Sequence, residues 1–231
     1  MGLTGGIACG KDLVAGCFES EGIPVIDTDP IGHELIEPGA ACYRPLLDLF
    51  GPEVLDEDGH IQHRRVAEIV FSDPDKLSAL NALMHPVILD EAERRAGRLH
   101  REHHHPIVMV SAALLVEAGV ERRFDRIVLV ACRRQVQLRR LRRRDALSPE
   151  MARARLAAQL TDSERRRAAH YVIDNSGDRT RTRRQVRQVV KKLWALARRR
   201  FPGLVAKAAA AREQLGCGAS RQARSRTGSK R

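Results

Sequence analysis

Residues 5 to 11 have the types and the spacing of a loop that binds phosphate. Gly5, Gly10 and Lys11 satisfy the pattern G-x-x-x-x-G-K. Apolar Leu3 precedes the glycines and apolar residues follow at helical spacing, so the stretch predicts a strand, a loop and a helix. Glycines let backbone N–H groups point at an anion, the helix start adds partial positive charge, and Lys11 adds a full charge. We predict a phosphate site in this phosphate loop (residues 5–11); the alternative is a glycine-rich turn that only begins a helix.

The residue after the lysine departs from the pattern. A Ser or Thr is expected there, because its hydroxyl ligates the Mg²⁺ that accompanies bound phosphates, but this chain has Asp12. A carboxylate is also an Mg²⁺ ligand, although without the metal it would repel a phosphate. We therefore predict that Asp12 ligates magnesium, and that it weakens the site if it does not.

Two further carboxylates follow a short apolar stretch at residues 23–26. Asp27 and Asp29 come where this predicted strand ends, and open α/β sheets bind ligands at the carboxyl ends of their strands. Carboxylates opposite a phosphate loop can hold metal or take a proton from an attacking hydroxyl. The alternative, equally good for Asp27, is that an aspartate before Pro30 only caps the next helix.

Arginines are concentrated between residues 133 and 145, directly after an apolar run at 127–132 that predicts a buried strand. Arg140 and Arg144 are four residues apart, so on a helix they share a face and suit two cations that close over a transferring phosphoryl group. Nucleic-acid contacts would favour interleaved aromatic residues, and this stretch has none. We predict that its other arginines are solvated.

A sheet with helices is needed to position these residues. Two strands are predicted before the phosphate loop and before Asp27. Three more are predicted at residues 107–110, 127–132 and 171–173, which gives about five strands. A closing helix has one apolar face, formed by Val186, Val189, Val190, Leu193, Trp194 and Ala197. The pattern therefore predicts an α/β fold.

Two helical regions interrupt this predicted core, at residues 60–105 and 139–167. Their helix starts are predicted from capping residues, namely Ser72 or Asp73, Ser148, and Thr161 together with Glu164. Within the first region, Pro86 predicts a break between two helices. The second region follows the arginines, so we predict that it is a lid that excludes water.

Composition and charge bound the class of the protein. A length of 231 residues with 43% hydrophobic content suits one α/β domain with insertions. The net charge is +12, but ten of the 41 Lys and Arg and only one acid fall in residues 198–231. Residues 204–231 are rich in Ala, Arg, Ser and Gly, which predicts a basic, disordered tail apart from a brief helix at 204–215. Five scattered cysteines, no long apolar run and no signal peptide predict a soluble cytoplasmic protein.

Taken in order, the motifs of this chain resemble those of dephospho-coenzyme A (dephospho-CoA) kinase over roughly residues 2–195. The resemblance rests on the phosphate loop together with the stretches at residues 25–29, 34–39, 50–55, 83–86, 114–117 and 171–177. It implies a P-loop kinase-type three-layer α/β/α fold with a parallel sheet of about five strands. We accordingly divide the chain into a nucleotide-binding core (1–59, 106–138 and 168–200), a helical acceptor-binding region (60–105), a lid (139–167) and the tail (204–231).

This family phosphorylates the 3′-hydroxyl of dephospho-CoA with ATP, the final step of coenzyme A synthesis, so the resemblance implies a role for each candidate residue. Lys11 and the loop amides would hold the β- and γ-phosphates, Asp29 would accept or orient the acceptor proton, and the two arginines would neutralise developing charge. The predicted catalytic residues are Asp29, Lys11, Arg140 and Arg144. The predicted ATP-binding residues are Gly5, Gly6, Ile7, Ala8, Cys9, Gly10, Lys11, Asp12, Leu13 and, near the adenine, Asn175. The predicted acceptor-binding residues are Asp27, Asp29 and His85; for His85 the alternative is a structural role, which is the more frequent one for a lone histidine.

The same resemblance sets the expected ligands and partners. We expect ATP and dephospho-CoA as substrates, Mg²⁺ as the cofactor, no membrane contact and a monomer. One alternative is another small-molecule or nucleoside kinase, which would share the loop and the lid. A second is a degenerate phosphate-loop protein that binds nucleic acid non-specifically through the basic tail.

Overall fold

A parallel sheet forms the centre of the molecule in the computed structural model, which describes residues 1–210. In this part of the chain the sheet has five strands: β1 (Gly2–Gly5), β2 (Val25–Asp27), β3 (Met109–Ser111), β4 (Ile127–Ala131) and β5 (Tyr171–Asp174). Their order across the sheet is β2-β3-β1-β4-β5, and every neighbouring pair is parallel. The predicted number of strands and the predicted α/β class are confirmed.

The strands are apolar on both faces because helices cover both. All five residues of β4 are buried, as are the four of β1, which is the pattern of a parallel strand between two helical layers. Helices α1 (Lys11–Ser20) and α9 (Arg179–Arg200) share one apolar cluster with β1, β4 and β5. A second apolar cluster contains Ile31 of α2 (Thr28–Glu34), Ala92 of the long helix that begins at Pro74, and residues of β2 and β3. The predicted apolar face of α9 is confirmed, and the architecture has three layers.

The helical region has an apolar cluster of its own. Helices α3 (Tyr43–Phe50), α4 (His63–Ser72) and α5 (Pro74–Arg101) supply most of it. Its buried members are Ile36, Cys42, Leu46, Phe50, Val54, Ile61, Val66, Val70 and Met84. This cluster starts well before residue 60, so the boundary that we placed there stays a prediction.

One prediction in this region is wrong, because α5 runs unbroken through Pro86. A proline inside a helix removes a hydrogen bond and costs about 3 kcal/mol. Helix α5 nevertheless packs against α2, α3 and α4 and against the sheet, and these tertiary contacts outweigh the local cost. The helix start is as predicted: the Asp73 side chain accepts hydrogen bonds from the N–H groups of Asp75 (3.0 Å) and Lys76 (3.1 Å).

Three helices form the predicted lid region: α6 (Arg134–Asp145), α7 (Pro149–Ala157) and α8 (Asp162–Ala168). Both predicted caps are present, Ser148 on α7 and the Thr161–Glu164 capping box on α8. The apolar residues of this region, Leu141, Ala152 and Leu156, pack with Ile7 and Ala8 of the phosphate loop. The lid helices therefore rest directly on the loop.

The end of the chain is only partly described. Residues 202–210 are helical, where the sequence predicts a brief alanine-rich helix, and the rest of the predicted tail lies outside the described residues. Among residues 1–210, no helix is long and apolar enough to cross a membrane.

Candidate active site

The candidate residues gather at the carboxyl ends of the strands, where open α/β sheets bind ligands. The phosphate loop follows β1, Asp27 ends β2 and Ser111 ends β3. Cys132 and Asn175 directly follow β4 and β5. The parallel topology thus brings together five segments that are far apart in the sequence.

The phosphate loop has a backbone that requires glycine at two positions. Gly10 has φ 82°, in the left-handed region, and a Cβ atom there would lie 2.4 Å from Nδ2 of Asn175. A Cβ at Gly5 would lie 2.7 Å from the carbonyl oxygen of Val130. Gly10 precedes α1 without a side-chain cap, so the first N–H groups of α1 are available to an anion. This is the geometry that the sequence pattern predicts.

Lys11 lies at the bottom of the loop with its side chain only 11% exposed. Its ammonium Nζ donates a hydrogen bond to Ser111 Oγ at 2.5 Å and lies 3.5 Å from Asp27 Oδ1. Asp12 Oδ1 is 3.8 Å away. Two carboxylates and a buried hydroxyl therefore surround one cation at the sheet edge. The sequence does not single out Ser111, because a serine after an apolar strand gives no such signal.

The same oxygen atoms fit a magnesium ion. Mg²⁺ prefers oxygen ligands and usually takes one or two carboxylates, with phosphates and water completing its shell. Asp12 is 93% exposed and Asp27 45% exposed at the side chain, so both can meet a ligand from solution. Within residues 1–210, however, no group of three or more His, Cys, Asp or Glu side chains is arranged to hold a metal. Asp12 and Asp27 could supply part of a divalent metal's shell, with phosphate oxygens and water as the remaining ligands.

Asp27 and Asp29 have different surroundings. The Asp27 side chain caps α2, because it accepts a hydrogen bond from the Asp29 N–H at 3.4 Å. This cap is the alternative role that the sequence left open for Asp27. The same carboxylate also faces Lys11. Asp29 lies in the first turn of α2 and lines a cavity of about 280 Å³. Thr28, His33 and His85 line the same cavity, with apolar walls from Ile88, Leu89, Ala112, Leu114 and Leu115. The structure thus brings Asp29 and His85 together.

His85 is half-buried in the cavity wall. Burial lowers its pKa below the ordinary value of a histidine, because desolvation disfavours the charged imidazolium. The lowered pKa favours the neutral imidazole, which can act as a hydrogen-bond donor or acceptor.

The two arginines selected from the sequence have different partners. Arg140 donates from Nη1 to the carbonyl of Cys9 (3.2 Å) and from Nη2 to the carbonyl of Asn175 (2.9 Å), so it is in contact with the phosphate loop. Arg144 instead pairs with Asp145 at 2.6 Å. Hydrogen bonds to Asp145, and in smaller part the charge of Asp12, raise the pKa of Arg144.

Asn175 is buried, and its side chain holds the loop. Nδ2 donates to the carbonyl of Cys9 at 2.7 Å, and Oδ1 accepts from the hydroxyl of Thr182 at 2.9 Å. The predicted position near the adenine therefore has a competing explanation that the sequence analysis missed. The loop contacts of Gln137, Gln159 and Arg165 were not predicted either, because nothing in the sequence separates these polar residues from solvated ones.

Fold and site together define a class of protein. A parallel sheet that carries this loop and lysine, with an arginine-bearing lid packed on the loop, is the arrangement of a P-loop kinase, which transfers phosphoryl groups from a nucleotide. The family model described as dephospho-CoA kinase matches residues 1–181. The chain belongs to the dephospho-CoA kinase family.

Known proteins agree with this assignment. A dephospho-CoA kinase of Moorella thermoacetica is 40% identical over 193 residues, which cover 84% of this chain and 91% of that protein. A crystal structure of a Thermus thermophilus protein has a TM-score of 0.70 at 34% identity, covering 83% of this chain and 96% of the other. The structure of dephospho-CoA kinase from Campylobacter jejuni has a TM-score of 0.62 at 25% identity, covering 83% and 95%. The two alternative functions gain no support.

Proposed function

We propose that this protein transfers the γ-phosphoryl group of ATP to the 3′-hydroxyl of dephospho-CoA and so forms coenzyme A. The observation that carries the proposal is the meeting of two features at one sheet edge. The phosphate loop ends in Lys11, whose side chain is only 11% exposed, and a cavity lined by Asp29 and His85 lies at the same sheet edge. Membership of the dephospho-CoA kinase family supplies the identity of the acceptor.

The loop supplies the nucleotide side of the reaction. Lys11 and the free N–H groups at the start of α1 hold the β- and γ-phosphates. The ammonium of Lys11 already lies among oxygen atoms of Ser111 and Asp27. When the nucleotide binds, phosphate oxygens take the place of these oxygen atoms as partners of Lys11. Asn175 contributes by holding the loop at Cys9.

The cavity supplies the acceptor side. Asp29 is the carboxylate that lines it, so Asp29 accepts or orients the proton of the attacking hydroxyl. Neutral His85 gives the acceptor a hydrogen-bonding partner without adding charge. Asp27, which faces Lys11, helps to place the lysine at the boundary between the two substrates.

The arginines neutralise charge that develops on the phosphoryl group. Arg140 is already at the loop, where it bonds to the carbonyls of Cys9 and Asn175. Arg144 pairs with Asp145 in this structure, so its contribution requires the guanidinium to exchange that partner for phosphate oxygens.

The family uses a divalent metal with ATP, and we propose that the metal is Mg²⁺. Asp12 and Asp27 would hold it, since they are the carboxylates closest to Lys11. When bound, Mg²⁺ supplies positive charge that offsets the negative charge of the β- and γ-phosphates.

We also propose a monomeric protein in the cytoplasm. One chain supplies both the loop and the cavity, which supports a monomer. The cysteines of the described residues, Cys9, Cys17, Cys42 and Cys132, are free and buried, as expected where thiols stay reduced. Non-specific contact of the tail with nucleic acid stays a prediction.

The test is ADP formation by the purified protein with Mg²⁺ and ATP, with and without dephospho-CoA. We expect ADP only when the acceptor is present, no turnover in Lys11→Ala, and unchanged turnover in Lys191→Ala, which removes an exposed lysine of α9. A panel of nucleosides and small alcohols in place of dephospho-CoA separates this enzyme from other P-loop kinases. Turnover with another acceptor but not with dephospho-CoA would refute the proposed substrate.

A further inference from the structure

Arg165 is a buried charge that the proposed reaction does not use. It belongs to α8 of the lid and is only 2% exposed. A buried guanidinium needs partners, and Arg165 has Glu117, whose Oε1 accepts from Nε at 3.0 Å and also from Nη2. Glu117 lies in the 112–120 segment, which lines the cavity through several of its neighbours. The ion pair therefore joins the lid to the segment that walls the cavity.

The same guanidinium lies against the phosphate loop. A Cβ atom at Gly6 would be 2.8 Å from Nη1 of Arg165 and 3.1 Å from Nε2 of Gln137. Only a residue without a side chain fits between the loop and these two groups. Arg165 thus packs directly against the backbone of the phosphate loop.

Two glutamines hold the next residue of the loop by its backbone. Gln159 Oε1 accepts from the N–H of Ile7 at 2.8 Å, and Gln137 Nε2 donates to the carbonyl of Ile7 at 3.1 Å. Arg165 Nη2 donates to the same Gln159 oxygen at 3.4 Å, which orients the Gln159 amide. Both hydrogen-bonding groups of Ile7 are therefore fixed by side chains from the lid region.

The loop needs such support, because its backbone is strained one residue later. Ala8 has φ 58°, a left-handed conformation that is unfavourable for any residue with a Cβ atom. Neither Gly5 nor Gly6 has a side chain that could anchor this turn in the core. The contacts to Ile7 are next to the strained residue and hold it in place.

We propose that Gln159 and Arg165 are positioning residues for the phosphate loop. Arg165, fixed by Glu117, orients Gln159, and Gln159 together with Gln137 keeps Ile7 and Ala8 in the shape that binds phosphate. Neither side chain is among the groups to which we assign a direct role in the reaction. The inference rests on nucleotide binding by the loop, which belongs to the proposed function, and not on the identity of the acceptor.

Gln159 is the position to change, since Arg165 is too deeply involved in the fold. Removing Arg165 would leave Glu117 as a buried, unpaired carboxylate, and its Oε2 already has no hydrogen-bond partner within the described chain. Gln159 is half-buried, and Gln159→Leu keeps a side chain of similar size while it removes the carboxamide, including the oxygen that accepts from Ile7 and Arg165. Gln188→Leu, at an exposed position of α9, is the matched control.

The experiment is calorimetric titration of the full-length protein with ADP in the absence of acceptor. We expect the dissociation constant for ADP to rise about tenfold in Gln159→Leu, as is typical when a buried N–H loses its partner, and to stay unchanged in Gln188→Leu. Titration with dephospho-CoA alone should give the same affinity in all three proteins, because the defect is confined to the loop. A purely structural role would change both affinities and the melting temperature together.

A double-mutant cycle with Gln137→Leu completes the test. Both glutamines hold Ile7, so the effects of Gln137→Leu and Gln159→Leu on ADP affinity should be clearly non-additive. ADP affinity equal to wild type in Gln159→Leu, or strictly additive effects, would overturn the inference. A wild-type protein that binds ADP but not dephospho-CoA would overturn the proposed acceptor instead, and the ADP series would still decide the role of Gln159.

Discussion

Gly10→Ala should weaken nucleotide binding strongly. Gly10 adopts φ 82° and ψ 45°, and a Cβ atom would lie 2.4 Å from Nδ2 of Asn175. Asn175 cannot simply withdraw. Its Nδ2 donates to Cys9 of the same loop and its Oδ1 accepts from Thr182, and the residue is 2% exposed.

The expected magnitude follows from two costs. An L-residue in the left-handed region costs about 1–2 kcal/mol. Displacing Asn175 breaks its bond to Cys9, and a hydrogen bond of this kind contributes about 0.5–1.5 kcal/mol. Together these costs are about 1.5–3.5 kcal/mol in the conformation that binds phosphate, which raises the dissociation constant for ADP roughly 10- to 400-fold.

The assay is again titration with ADP, and α1 offers a matched control. A Cβ at Gly16 would meet nothing within 4 Å, so Gly16→Ala should bind ADP normally and should raise the free energy of unfolding by about 0.5–1 kcal/mol. If Gly10→Ala binds ADP as tightly as Gly16→Ala does, the structural role that we assign to this glycine is refuted.

Two other predictions concern single side chains of the loop region. Burial raises the pKa of the Cys9 thiol to about 12, so its stabilising contribution is complete below pH 9 and is lost as the pH rises toward 12. In urea unfolding between pH 8 and 11, wild type should therefore lose up to about 1.4 kcal/mol per pH unit more than Cys9→Ala does; equal slopes would contradict this. If the exposed Asp12 side chain ligates the metal as we propose, Asp12→Ser should keep similar or higher activity and Asp12→Ala should need more Mg²⁺. If all three proteins show the same Mg²⁺ dependence in the ADP-release assay, Asp12 is not a ligand.

Much of the fold could be predicted from local patterns in the sequence. The strand, loop and helix around Lys11 and the apolar face of α9 depend on periodicity and on glycine, which a short window of sequence contains. The helix caps at Asp73 and Ser148 depend on one residue and its two neighbours. Pro86 shows where such reasoning fails: the preference of a proline is local, but the packing of α5 against three other helices is not.

Some residues of the candidate site could likewise be predicted from the sequence, and others could not. Lys11 and Asp29 were predictable because each follows a strand whose end must lie at the ligand edge of the sheet. Ser111 has the same position on β3, yet nothing in the sequence indicates that it would meet Lys11. The different partners of Arg140 and Arg144 were also not predictable. Arg140 bonds to the carbonyl of Cys9, whereas Arg144 pairs with Asp145.

What the sequence could have predicted is that the loop needs partners, although not which residues supply them. A loop built from glycine and alanine has few side chains to bury, so its carbonyl and N–H groups must be satisfied by other segments or by the ligand. In this structure four side chains from outside the loop, those of Gln137, Arg140, Gln159 and Asn175, meet its backbone at Ile7 and Cys9. These side chains lie 130 to 166 residues from the groups that they bind. They become recognisable only once α6, the segment between α7 and α8, and the end of β5 are in place. Polar residues that face a glycine-rich loop in a folded chain therefore deserve the same attention as the lysine in the motif, because their hydrogen bonds help to keep the loop in its shape.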